Sequence, residues 1–172
     1  MNGLYATYYT DTALTTPNTV RVDSIVDWSR AAGSVYAASQ PSSNAYTVRW
    51  VGFVKAKYAG TYTFFAKVQE TDERVRLWVD NVAMVDQWTV ALSSLEPTGT
   101  ISIPTAEDVY EVRLEYQQTS NNHGVTLSWQ CANFPKGALF DTRLFSDTHV
   151  MGSPFNLSFA GACRGGREGA GE

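Results

Sequence analysis

The 172 residues carry 17% charged and 13% aromatic side chains, too aromatic for a disordered chain and sufficient for one ordered, β-rich domain with a substantial core. The net charge of −4 argues against nucleic acid and anionic membrane surfaces as partners and is compatible with cation binding. No apolar run approaches the ~20 residues of a membrane span, so no membrane insertion is expected.

The chain opens on Met-Asn-Gly-Leu-Tyr-Ala, which has neither the basic region nor the apolar segment of a signal peptide. The expectation is a domain excised from something larger, with a cytosolic chain as the other option. Residues 3–9 contain LYATYY, an aromatic strand. Residues 11–18 read as a loop. Residues 20–28 (VRVDSIVDW) alternate and read as one strand or extended segment. Residues 31–44 are rich in Ala, Ser and Gly and form a surface connection.

The central stretch runs from Tyr46 to Trp88. Tyr46, Val48 and Trp50 share one face of a strand, with Thr47 and Arg49 opposite. Tyr58-Ala59-Gly60 breaks the run. Tyr62, Phe64, Ala66 and Val68 then alternate with Thr61, Thr63, Phe65 and Lys67. Residues 69–74 are polar and charged. Val75, Leu77 and Val79 follow on one face, with Arg76, Trp78 and Asp80 on the other. Asp80-Asn81 has the chemistry of a tight primed hairpin turn, from which residues 82–85 return.

Residues 91–99 form a second loop and residues 100–103 a short strand stopped by Pro104. The clearest alternation lies at 108–117: Tyr110, Val112, Leu114 and Tyr116 inward, Glu111, Arg113 and Glu115 outward. Residues 119–124 (TSNNHG) are a polar turn. Residues 125–131 form the last full strand, with Trp129 inside and Cys131 in phase as a buried thiol. No amphipathic helix longer than two turns is expected. The fold class is all-β, an antiparallel sandwich or flattened barrel.

Catalytic motifs are missing from the sequence. There is no Gly-x-Ser-x-Gly, no His-Glu-x-x-His and no phosphate-binding glycine loop. The two histidines, His123 and His149, make a histidine-based triad or zinc site a poor fit. The expectation is a protein that is not an enzyme.

RWVGFVKAKYAGTYTFFAKV, followed by RLWVDN and MVDQW, resembles the PA14 domain, the β-sandwich named after the anthrax protective antigen. The resemblance covers residues 3–145. It implies a family found in toxins, glycosidases, bacterial adhesins and yeast flocculins, mostly extracellular or at the cell surface. In its adhesin branch it implies glycans as partners, bound through a calcium ion. Two consecutive aspartates there share a cis peptide, because neighbouring side chains on an extended backbone point to opposite faces. A cis bond costs about 2.5–4 kcal/mol for a non-proline residue and turns both carboxylates toward one ion. Calcium takes about six to eight oxygens, and a second loop supplies an asparagine and carbonyls.

The resemblance places the metal ligands at Asp72 and Glu73, with Asn121 and Asn122 on the second loop. Asp72, Glu73, Arg74, Asn121, Asn122, His123 and Trp78 are then the candidate ligand-binding residues. Two positions depart from the family pattern: Glu73 stands for the second aspartate, and Arg74 for the following glycine. Trp78 and Phe65 are off the apolar phase of their strands. They either stack on a sugar ring or cover the second side of a layer.

Residues 149–159 (HVMGSPFNLSF) resemble the last strand of a filamin-type repeat. An extra strand is expected at 146–160 and a disordered tail at 161–172, both belonging to a multidomain parent with neighbouring domains. Asn156-Leu157-Ser158 is a glycosylation sequon if that parent is secreted from a eukaryote. A Cys131–Cys163 disulfide stays open. The functional reading is a non-catalytic carbohydrate-binding or adhesion module using calcium. The rivals are a structural spacer or protein-interaction domain, and an accessory domain of a glycoside hydrolase.

Overall fold

The computed structural model describes residues 3–30, 45–119 and 123–139, with the side chains of residues 28–30 left out. Eleven strands follow one another among the described residues: β1 (Leu4–Tyr9), β2 (Pro17–Asp23), β3 (Asp27–Arg30), β4 (Tyr46–Lys55), β5 (Gly60–Val68), β6 (Arg74–Val79), β7 (Val82–Gln87), β8 (Thr98–Ile103), β9 (Val109–Gln118), β10 (His123–Cys131) and β11 (Phe134–Ala138). They build two antiparallel sheets. One has six strands in the order β2-β1-β4-β9-β6-β7; the other runs β11-β10-β5-β8, with β3 also paired to β10.

Each inner face is the apolar phase of its strands. Val48 and Trp50 from β4, Val75 and Leu77 from β6, and Val112 and Leu114 from β9 are buried in one sheet. Phe64 and Ala66 from β5 and Leu127 and Trp129 from β10 are buried in the other. Between them they form one continuous core, as two packed sheets require. Aromatic rings fill one part of it: Trp129 lies 5.2 Å from Tyr62, 5.8 Å from Phe64 and 5.5 Å from Phe134, centroid to centroid.

Most of the predicted strands form where alternation places them. β9 is central, flanked by β4 and β6. Asp80 and Asn81 both adopt positive φ, 51° and 61°, the backbone that a two-residue primed turn needs. At Gly99 the edges of the two sheets come close. A Cβ there would stand 2.6 Å from the Met84 carbonyl oxygen, so β8 passes β7 only with glycine in place.

The structure differs from the expectation at three points. Residues 20–28 are two strands, not one: β2 pairs in the first sheet and β3 in the second. Asp23 ends β2 by pointing inward, where it accepts Tyr8 Oη at 2.7 Å and Trp50 Nε1 at 2.7 Å and pairs with Arg21 Nε at 2.5 Å. A carboxylate so held fixes the chain and lets it cross between layers. Glu115 is on the outward phase yet only 2% exposed, because Arg49 and Arg76 from the neighbouring strands close over it. Cys131 is half-buried rather than buried, packed against the core from its margin. The expected extra strand at 146–160, the tail at 161–172 and Cys163 lie outside the described residues.

Leu114 is fully buried at the centre of the six-stranded sheet. Leu114→Ala is expected to lower stability by about 2–5 kcal/mol, read as a fall in the chemical-denaturation midpoint with the slope unchanged.

Candidate functional site

One end of the sandwich brings together the turn after β5, the last residues of β9 and the first of β10. Val68 ends β5, and the chain turns through residues 69–73 into β6. Glu73 is the residue on which that turn closes. It is 0% exposed. Its Oε2 accepts the amides of Gln69 at 2.6 Å and Glu70 at 2.7 Å. Its Oε1 accepts the Gly124 amide at 2.8 Å and the Tyr116 hydroxyl.

The carboxylate therefore ties its own turn to β9 and β10 through four donors. Burial pushes the Glu73 carboxyl up from the usual range, against the hydrogen bonds from Tyr116, Glu70, Gly124 and Gln69 that favour its charged form. Burial first, and then the charge of Glu73 beside it, push the Tyr116 phenol well up, so it stays a donor.

Aromatic rings wall this cluster. Tyr46 meets Tyr116 edge-on at 6.4 Å and His123 edge-on at 5.8 Å. The sequence reading puts His123 in a polar turn, as a ligand-binding candidate. Instead β10 begins with it and it is 3% exposed. This is a correction: a ring sealed under Tyr46 is part of the floor beneath the turn.

Asp72 lies in the turn just before Glu73 and does not share its buried cluster. No cis peptide bond occurs among the described residues, so the expected cis bond between Asp72 and Glu73 is not there. Asp72 is half-buried at the rim. The Thr119 hydroxyl donates to its carbonyl at 3.2 Å and lies 3.4 Å from Oδ2. Arg74 folds back over the turn and donates to the carbonyls of Thr71 at 3.1 Å and Glu73 at 2.8 Å. Asn121 and Asn122 lie outside the described residues.

Trp78 is not part of this assembly. It sits on the outer face of β6, four residues from Arg74, about 13 Å along an extended strand. There the Arg113 guanidinium lies 4.1 Å and that of Arg76 5.3 Å from its ring centroid. Phe65 has Lys136 Nζ 4.2 Å over its ring.

These residues do not fit a calcium ion chelated through both carboxylates. Calcium takes about six to eight hard oxygens. Each Glu73 oxygen already accepts two donors, and the carbonyls of Thr71 and Glu73 accept from a guanidinium that carries its own positive charge. Among the described residues no group of three or more His, Cys, Asp or Glu side chains is placed to hold a metal.

Sequence reasoning missed Tyr116 and Thr119 as parts of this site. Alternation finds Tyr116 inward but does not reveal which carboxylate its hydroxyl meets. Thr119 carries no signal beyond its place at the end of a strand.

A model of the PA14 domain family matches residues 1–136. The chain is 29% identical over 144 residues to the anti-sigma-I factor RsgI3 of Acetivibrio thermocellus, covering 84% of this chain and 21% of that one. It thus spans about a fifth of that relative's length. The structure of an anti-sigma factor domain-containing protein from Clostridium clariflavum is similar with a TM-score of 0.71 and 31% identity, over 81% of this chain and 45% of the other. The epithelial adhesin 6 A domain of Candida glabrata, solved with Galβ1-3GlcNAc, has the same fold, with a TM-score of 0.62 and 14% identity over 87% of this chain and 86% of that one.

Tyr116→Phe keeps the ring packing and removes one donor from Glu73. The expected loss is about 1.5–3 kcal/mol, the range for a hydrogen bond to a charged group. Urea titration of the two proteins side by side reads it as a midpoint shift.

Proposed function

The chain belongs to the PA14 domain family, and on that premise we propose that it is a non-catalytic carbohydrate-binding module of a larger protein, working in an extracellular or cell-surface setting. One observation carries the reading. At one end of the sandwich a turn locked from beneath presents the Asp72 carboxylate beside the Thr119 hydroxyl. An acceptor-rich carboxylate and a hydroxyl, held next to the ends of packed strands, suit the vicinal hydroxyls of a sugar. Asn121 and Asn122, between Thr119 and His123 in sequence, belong to the same proposal as amide donors and acceptors.

A second reading concerns the larger protein. The matches to anti-sigma factors favour a regulatory parent in which this domain is the ligand-sensing part. In both readings the domain's own task is to bind a glycan. A spacer, or an accessory domain without a ligand of its own, is the outcome if no glycan binds.

A glycan array probed with the full 172-residue chain tests the reading, with Asp72→Ala as control. The array is expected to return at least one ligand. Asp72→Ala is expected to weaken its binding about tenfold or more, the effect of losing one hydrogen bond to a charged group. The melting temperature should stay within about a degree, because a rim carboxylate contributes little to folding. A correctly folded chain that binds nothing on the array leaves the spacer reading in front.

A further inference from the structure

We infer that Glu73 is a positioning residue that holds the rim turn in the place of a metal ion, so that the site of this chain is organised without calcium. The inference rests on the carbohydrate-binding reading only for what the turn is used for. The clasp itself stands on geometry.

The turn at 69–73 has to be held to the body of the sandwich if Asp72 is to have a fixed position. An ion bound by two adjacent carboxylates can do this from above. Here it is done from below. Glu73 is one methylene longer than aspartate, and that length carries its carboxylate inward, past the rim. There it reaches two amides of its own turn, a hydroxyl from β9 and the first glycine amide of β10. Three segments meet on one group: Gln69 and Glu70 on the turn, Tyr116 on β9 and Gly124 on β10.

Arg74 completes the arrangement. Its guanidinium takes the carbonyls of Thr71 and Glu73, oxygens of the kind a calcium ion would otherwise recruit. The two departures from the family pattern, glutamate for aspartate and arginine for glycine, are therefore one change in two parts. The longer acid moves the anchor inward, and the arginine fills the outer position with a fixed positive charge.

Hydrogen exchange resolved by residue tests the clasp without any glycan. In the wild-type chain with chelator, the amides of Gln69, Glu70 and Gly124 are expected to be protected, and adding calcium to millimolar level should change neither their protection nor the melting temperature. Glu73→Gln places an amide group against the same donors. It is expected to lower protection at those three amides by about tenfold or more, while the Leu114 amide in mid-β9 keeps its own. If Glu73→Gln fails to fold, Tyr116→Phe removes a single donor and should loosen the same three amides to a smaller extent.

Protection that develops in the wild type only when calcium is added overturns the inference. So does Glu73→Gln with all three amides still protected. An array on which no glycan binds, together with protected, calcium-insensitive amides, removes the carbohydrate reading and leaves the clasp in place.

Discussion

Taking a carboxylate out of water costs several kcal/mol unless donors inside the protein replace those it loses, and that constraint organises this domain. Among the described residues three acids are almost fully removed from solvent: Asp23, Glu73 and Glu115. Each sits where separate strands must be held in register or where the chain changes direction. Asp23 marks the crossing from one sheet to the other, Glu115 joins three neighbouring strands through Arg49 and Arg76, and Glu73 closes the end that carries the candidate site.

The three solutions are chemically different. Asp23 uses a phenol, an indole and a guanidinium. Glu115 uses two guanidinium groups across the outer face of the six-stranded sheet. Glu73 uses mostly backbone amides, and this makes it a local organiser as well as a long-range tie. Backbone donors fix the path of the turn itself, whereas side-chain donors fix only the distance between elements. Directional bonds of this kind add specificity to a core whose apolar contacts are non-directional.

The family comparison gains meaning from the same constraint. A fold that supports a ligand at the end of its sandwich needs a stiff support beneath the ligand-facing residue. A bound ion and a buried carboxylate can both provide it, but not with the same two residues at once. A glutamate whose oxygens are filled by four donors has no lone pair directed at a cation. Asp72, by contrast, remains at the rim with Thr119 beside it. The two acids, adjacent in sequence, thus divide into an inner support and a half-buried carboxylate at the rim.

Much of the fold was legible in the sequence. The alternation at Tyr110, Val112, Leu114 and Tyr116 fixes the central strand, because a period of two leaves one face for the core. Asp80-Asn81 announces its own turn, since few residue pairs tolerate two positive φ values. The adjacency of Asp72 and Glu73 drew attention to the turn after β5, where the buried Glu73 is found. Only the tertiary structure decided that Glu73 faces inward, that His123 begins a strand under Tyr46, and that residues 20–28 divide between two sheets. Periodicity reports which face a residue occupies relative to its neighbours. It does not report which distant donor waits there, and for a buried acid that donor determines whether the residue contacts a ligand or holds the structure that does.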